Sequence, residues 1–311
     1  MSKFMEIEKL YDLAKDPSMN IKQLTNIIEK NISSLKTYST FYIPDFKENQ
    51  LYRCRSHHFI DGDFYKNVNK PFSSEIDFCN PPKSPNIKMG RCNDNGESLL
   101  YCSNELKTAI LETNIENRNF ISISKYLLIE NEIKNSTLVA SLIGIQYLSK
   151  IDERFKRPHL INKDYNFFKF DNFLDELFHK KVSEDEKYLY KLSNAIAKCI
   201  MNDILVDSID NNDKLINREL IQQDCMIYPS IVRDKRSCNF VFRPQKAREK
   251  YNLFEVNTYE ILINNENIIS LQLRRIGYKN NLRSDCKGFS LMNWINIDKS
   301  SKKINILKNY D

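Results

Sequence analysis

Glycine is scarce in this chain: six residues among 311, and two of them, Gly90 and Gly96, stand either side of Arg91. Glycine lets a backbone turn tightly or approach another group closely. Such sparing use marks residues 89–112, MGRCNDNGESLLYCSNELKTAILE, as the segment where the fold is most constrained. A glycine-permitted loop carrying a cation runs into a short apolar strand at 99–102. A short helix follows and ends near Glu112. Loop, strand and helix in succession deliver an arginine, Tyr101 and a carboxylate. These are the groups needed to hold an anionic dinucleotide and act on its sugar.

Composition narrows the class. The apolar fraction of 41%, with 18 Phe and 16 Tyr, is enough for a sizeable core. No apolar run approaches the roughly 18 residues of a membrane span. The N-terminal segment mixes acids and bases without a continuous apolar stretch, so a signal peptide is not expected and a cytoplasmic location is. The eight cysteines are scattered, with no CxxC pair. A chain of this size needs no covalent staples, so they read as free thiols. The four histidines (57, 58, 159 and 179) form no HxxxH or HExxH pattern, and no metal site is expected. The net charge of +6 is spread along the chain. It suits an anionic small molecule or an acidic partner, and no basic stripe interleaved with aromatics points to nucleic acid.

The chain reads as an α+β domain with an N-terminal helical extension over 1–48. The main unit follows over 49–311, carrying a helical insert around 146–220. Residues 3–37 contain two amphipathic helices broken at Asp16-Pro17-Ser18. A first strand is expected at 51–55. The prolines of 80–85 favour an extended approach to the glycine loop. Strands follow at 120–129 and 136–145, then an irregular polar stretch at 146–164. Helices are expected at 165–181 and 184–203, and a polar loop at 207–217. Residues 225–232 and 238–242 read as a hairpin turning at 233–237. Residues 254–263 and 268–277 read as another, turning at 264–267. The tail from 278 is polar and basic, apart from an apolar stretch at 289–295.

Taken singly, each residue of the 89–112 segment has an ordinary structural reading. Arg91 beside two glycines can approach a phosphate with help from backbone N–H groups. Tyr101 can stack on a planar ring. Ser103 or Asn104 is the expected N-cap of the helix. Glu112 at its C-terminus opposes the helix dipole, a cost of about 0.3–1 kcal/mol that favours a specific task. In Tyr228-Pro229-Ser230 the proline holds Tyr228 extended. No GxSxG elbow surrounds Ser230, so it reads as an orienting hydroxyl for a ribose or a carboxylate, not as a nucleophile.

Together these segments resemble a known family. Arg-x-Arg on a first strand falls at Arg53 and Arg55. Gly-Arg-(Cys/Phe/Trp)-Asn-x-x-Gly, Leu-Tyr-x-Ser and Ala-x-x-Glu follow in order from Gly90 to Glu112. A late Tyr-Pro-Ser falls at 228–230, and an Asn-apolar-apolar-Phe strand at 239–242. Over roughly residues 50–245 the chain is similar to the RES domain, named for its arginine, glutamate and serine. The resemblance implies a mixed β core like that of ADP-ribosyltransferases. It implies an NAD-degrading toxin, a glycohydrolase or phosphorylase, paired with an Xre-type helix-turn-helix antitoxin. Catalytic roles then fall on Glu112, Arg91, Tyr101 and Ser230, and NAD contacts on Arg53, Arg55, Gly90 and Asn239. NAD+ is the substrate, with no separate cofactor and with water or inorganic phosphate as acceptor. The chain departs from the family in its extra residues 1–49, its long 113–224 region, and Cys92 where a bulky aromatic is common. Two other readings stand beside this one: transfer of ADP-ribose to a macromolecule, with the 113–224 region as a target-binding surface, and a non-catalytic nucleotide- or protein-binding module.

Overall fold

The computed structural model describes residues 7–31, 40–43, 50–57, 74–80, 85–113, 115, 120–129, 138–151, 153–155, 165–202, 204–209, 215–221, 223–231, 237–265, 267–284, 290–297 and 303–307. The prolines at 81 and 82, the turn at 233–236 and Cys286 lie outside the described residues. The fold is α+β: a large, mostly antiparallel sheet carries a layer of helices.

The sheet has eleven strands. They are β1 (Thr40–Ile43), β2 (Gln50–His57), β3 (Leu100–Ser103), β4 (Phe120–Leu128), β5 (Leu138–Leu142), β8 (Cys225–Pro229), β9 (Cys238–Phe242), β10 (Tyr251–Asn264), β11 (Ile268–Ser284), β12 (Ser290–Asn296) and β13 (Lys303–Leu307). Their order is β1-β5-β8-β9-β3-β2-β4-β10-β11-β12, and β13 also pairs with β11. Every pairing is antiparallel except β5 with β8. A parallel pair needs a long crossover, and this one is built from α4 (Ile145–Ile151), α5 (Tyr165–His179) and α6 (Tyr188–Met201), followed by a separate hairpin of β6 (Ile204–Ile209) and β7 (Leu215–Ile221).

The β8–β9 pair forms the buried spine. Cys225, Ile227, Phe240 and Phe242 face one core, while Met226, Tyr228 and Val241 face the other. Period-two alternation with both faces covered explains why these strands read as unbroken apolar runs.

The N-terminal helices, α1 (Ile7–Lys15) and α2 (Ile21–Asn31), pack on the crossover helices. Leu10, Ala14, Leu24 and Ile28 share a core with Leu192, Ile196 and Ile200 of α6, and also with Cys92 and Leu99 of the glycine loop. Tyr11 meets Phe173 edge-on, with centroids 5.6 Å apart. Asn20 and Gln23 cap α2 reciprocally, each side chain accepting the other's backbone N–H at 2.9 Å. Removing one of these buried leucines costs about 2–5 kcal/mol. An exposed pair such as Lys180–Glu186 is screened by solvent and adds little. Packing, not ion pairing, therefore holds the layer. No described helix is long and apolar enough to cross a membrane.

Three sequence expectations are corrected. The stretch expected to be irregular from 146 begins with α4. The Asp171 carboxylate of α5 accepts the N–H groups of Ile145 (2.9 Å) and Gln146 (3.1 Å), so the cap comes from a distant helix and leaves no local signal. The polar run at 207–217 is flanked and partly occupied by the β6–β7 hairpin. A ladder of main-chain hydrogen bonds does not require apolar side chains, so polarity alone misleads there. The basic tail contributes the end of β11 together with β12 and β13. The β10–β11 hairpin forms where expected, and the Asn265 side chain accepts the N–H groups of Asn267 (3.0 Å) and Ile268 (2.9 Å) to make its turn. The seven described cysteines are free thiols.

Candidate functional site

The sheet parts in its middle. β2 follows β4 through eight residue pairs and β3 follows β9 through four. Between them β2 and β3 meet at one pair only, Tyr52 with Ser103. A cleft of about 340 Å³ opens at this parting. It is walled by β2 (Tyr52, Arg53, Cys54), by the glycine loop, by Tyr101 to Ser103 of β3, and by Glu112 and Thr113 at the end of α3 (Leu106–Leu111). Tyr228 and Asn239 of the buried spine also line it.

Glu112 is the C-cap of α3, with φ −71° and ψ −19°. Its Oε1 accepts three hydrogen bonds: from the Ser230 hydroxyl at 2.5 Å, the Ile231 N–H at 2.9 Å and the Asn239 amide at 2.8 Å. Its Oε2 accepts none among the described residues. The Asn239 amide is itself oriented, because its Oδ1 accepts the Ser103 hydroxyl at 2.5 Å. A carboxylate at a helix C-terminus is unfavourable on its own. Three donors from β9 and the end of β8 offset that cost and fix one oxygen, leaving the other to the cleft. The expected N-cap is corrected: Ser103 is committed to Asn239, and the Asn104 Oδ1 accepts the Cys238 N–H at 2.9 Å. Glu105 stands at the N-cap with no side-chain capping bond.

Arg53 reaches the cleft. Its Nη1 donates to the carbonyls of Phe78 (2.8 Å) and Cys79, which holds the guanidinium in place. Arg55, two residues on, donates to the Asp77 carbonyl at 2.6 Å and is not among the cleft-lining residues. Burial, then the neighbouring Arg53, lower its pKa from the usual value.

Arg91 does not face the cleft. It donates to the carbonyls of Leu177 (3.2 Å) and Lys180 (2.5 Å) at the end of α5, and its guanidinium stands 5.8 Å from the Tyr190 ring centroid. The last carbonyls of a helix lack intrahelical partners and carry partial negative charge, so they attract a guanidinium as a phosphate would. Gly90 is corrected too. A Cβ there would stand 2.6 Å from Asn93 Oδ1, so this glycine admits the Asn93 side chain. Gly96 provides the left-handed turn, with φ 77°.

Tyr101 presents its ring to the cleft while its hydroxyl is engaged behind. It donates to Asn93 Oδ1 at 2.8 Å and accepts the Cys92 N–H at 3.1 Å. Burial holds its pKa well above the usual tyrosine value. Tyr228 also lines the cleft, a role that the Tyr-Pro-Ser segment does not signal locally. It is buried at 3% exposure, and burial raises its pKa well above 10, so it is a neutral phenol in the wall. Asn93 and Glu97 are further lining residues that the sequence displayed within the glycine loop without marking a role.

The site thus joins a carboxylate with one fixed and one uncommitted oxygen, an anchored guanidinium and two neutral tyrosine rings. Among the described residues no three His, Cys, Asp or Glu side chains converge as a metal site. No model of a known protein family matches the chain, and no curated protein does.

Proposed function

We propose that this protein cleaves the nicotinamide–ribose bond of NAD+. The observation that carries the reading is Glu112, whose Oε1 is locked by Ser230, Ile231 and Asn239 while Oε2 is left to a cleft that also holds Arg53. Breaking that bond builds positive charge on the ribose. A preorganised carboxylate stabilises this charge or holds the 2′-hydroxyl, with no reorganisation needed at the moment of reaction. Nicotinamide leaves as a neutral base from a cationic precursor, so no general acid is needed. Arg53 contacts the pyrophosphate, and Tyr101 supplies a face for a planar ring.

The motif resemblance to the RES domain supports the same activity. With it come a core of ADP-ribosyltransferase type, water or inorganic phosphate as acceptor, and an Xre-type antitoxin as partner. The crossover helices are packed against α1 and α2. That favours a small acceptor over a macromolecular one docked on this region. The test is nicotinamide release from NAD+ by the purified protein, with and without phosphate. Release without any protein target is expected, and labelling of a protein by ADP-ribose would favour the transferase reading.

A further inference from the structure

The glycine loop brings a second carboxylate to the cleft, and the activity proposed above does not use it. Glu97, on the glycine loop, lines the same cleft as Glu112 at the end of α3. Its Oε2 accepts the Asp94 N–H at 2.8 Å and the Lys198 ammonium of α6, also at 2.8 Å. Its Oε1 accepts nothing among the described residues, and the side chain is 35% exposed. Like Glu112, Glu97 is a carboxylate with one oxygen fixed by donors and one uncommitted.

We infer that Glu97 is a specificity residue: it accepts the hydroxyls of a ribose away from the scissile bond and excludes a dinucleotide phosphorylated there. The inference rests on the NAD reading of the cleft. A ribose diol offers O–H donors that an uncommitted carboxylate oxygen accepts. A 2′-phosphate offers only oxygens and negative charge, and like charges brought together are strongly disfavoured. Lys198 sharpens the logic. It does not itself line the cleft. Its charge is matched while Glu97 is present, and once Glu97 is neutralised this ammonium, 2.8 Å from the Glu97 carboxylate, loses that partner and is left to attract phosphate.

ADP-ribose and its 2′-phosphorylated form lack the nicotinamide bond, so their binding, measured by titration calorimetry, does not depend on turnover. The wild-type protein is expected to prefer ADP-ribose by about a hundredfold, the order set by opposing like charges. In Glu97→Gln the two ligands should bind within about tenfold of each other, mainly because the phosphorylated one tightens. In Glu97→Gln/Lys198→Met that tightening should disappear. Equal affinities in wild type, a parallel change in both ligands on Glu97→Gln, or binding of neither would overturn the inference. A purely loop-capping Glu97 gives the parallel change. Nicotinamide release from NAD+ is scored separately. Release accompanied by any overturning result removes this role and leaves the activity, whereas retained discrimination without release removes the activity and leaves the role.

Discussion

Asn239 holds Glu112 from β9: its amide nitrogen stands 2.8 Å from Glu112 Oε1, while its Oδ1 accepts the Ser103 hydroxyl. One side chain therefore ties the end of α3 to the spine of the sheet and sets the carboxylate's rotamer. Asn239→Ala removes a donor and leaves the Ser103 hydroxyl without its acceptor. The expected cost is about 1–3 kcal/mol of stability and a fall in kcat with less change in KM. Ser230→Ala, which removes one of three donors, should lower kcat by a smaller factor. Urea unfolding and steady-state kinetics on the same preparations test both.

Arg91 clamps the glycine loop to the end of α5 through the carbonyls of Leu177 and Lys180. Arg91→Ala should lower the unfolding free energy by about 1–2 kcal/mol and leave the KM for NAD+ nearly unchanged. A large, salt-dependent rise in KM with unchanged stability would mean that the guanidinium holds phosphate instead.

Two buried thiols, Cys92 and Cys102, and the half-buried Cys54 predict alkaline destabilisation. Burial pushes Cys54, Cys92 and Cys102 up to about 12, from a usual value of 9.0. Below pH 9 these thiols are neutral in both states and their contribution is complete. Above pH 9 the unfolded chain releases protons that the folded chain retains, so stability falls until the folded thiols ionise near pH 12. At pH 10 the loss is about 1 kcal/mol per thiol. Tm measured from pH 7 to pH 10.5 should be flat and then decline. Alkylation of Cys54 and Cys102 by iodoacetamide at pH 8 should be far slower than that of an exposed cysteine.

Local signals carried much of this architecture. The strand and helix of 100–111 and the β10–β11 hairpin follow from apolar spacing and turn residues. Ser230, 118 residues from Glu112, is legible as a hydroxyl orienting a carboxylate once both motif blocks are taken together; the Asn239 bond to Glu112, across 127 residues, is not, because the resemblance places Asn239 at NAD. What stayed hidden depends on tertiary docking. An arginine beside glycines is suited to a phosphate or to helix carbonyls, and nothing local says that the end of α5, 86 residues away, is its neighbour. The cap of α4 likewise comes from Asp171 on another helix. Tyr228 and Glu97 were plain in the sequence, but which residues line a cleft depends on where β2 and β3 part.

Glu112 is the residue proposed to act on NAD+. Gln at this position keeps an oxygen for Ser230, Ile231 and Asn239 while removing the charge. The decisive measurement is nicotinamide release by wild type and Glu112→Gln at matched concentration, with Tm recorded for both. Release by wild type, a loss of about 10²–10³ in kcat for the variant and little change in Tm are expected. Undiminished release by a folded Glu112→Gln protein, or no release by wild type, would contradict this assignment.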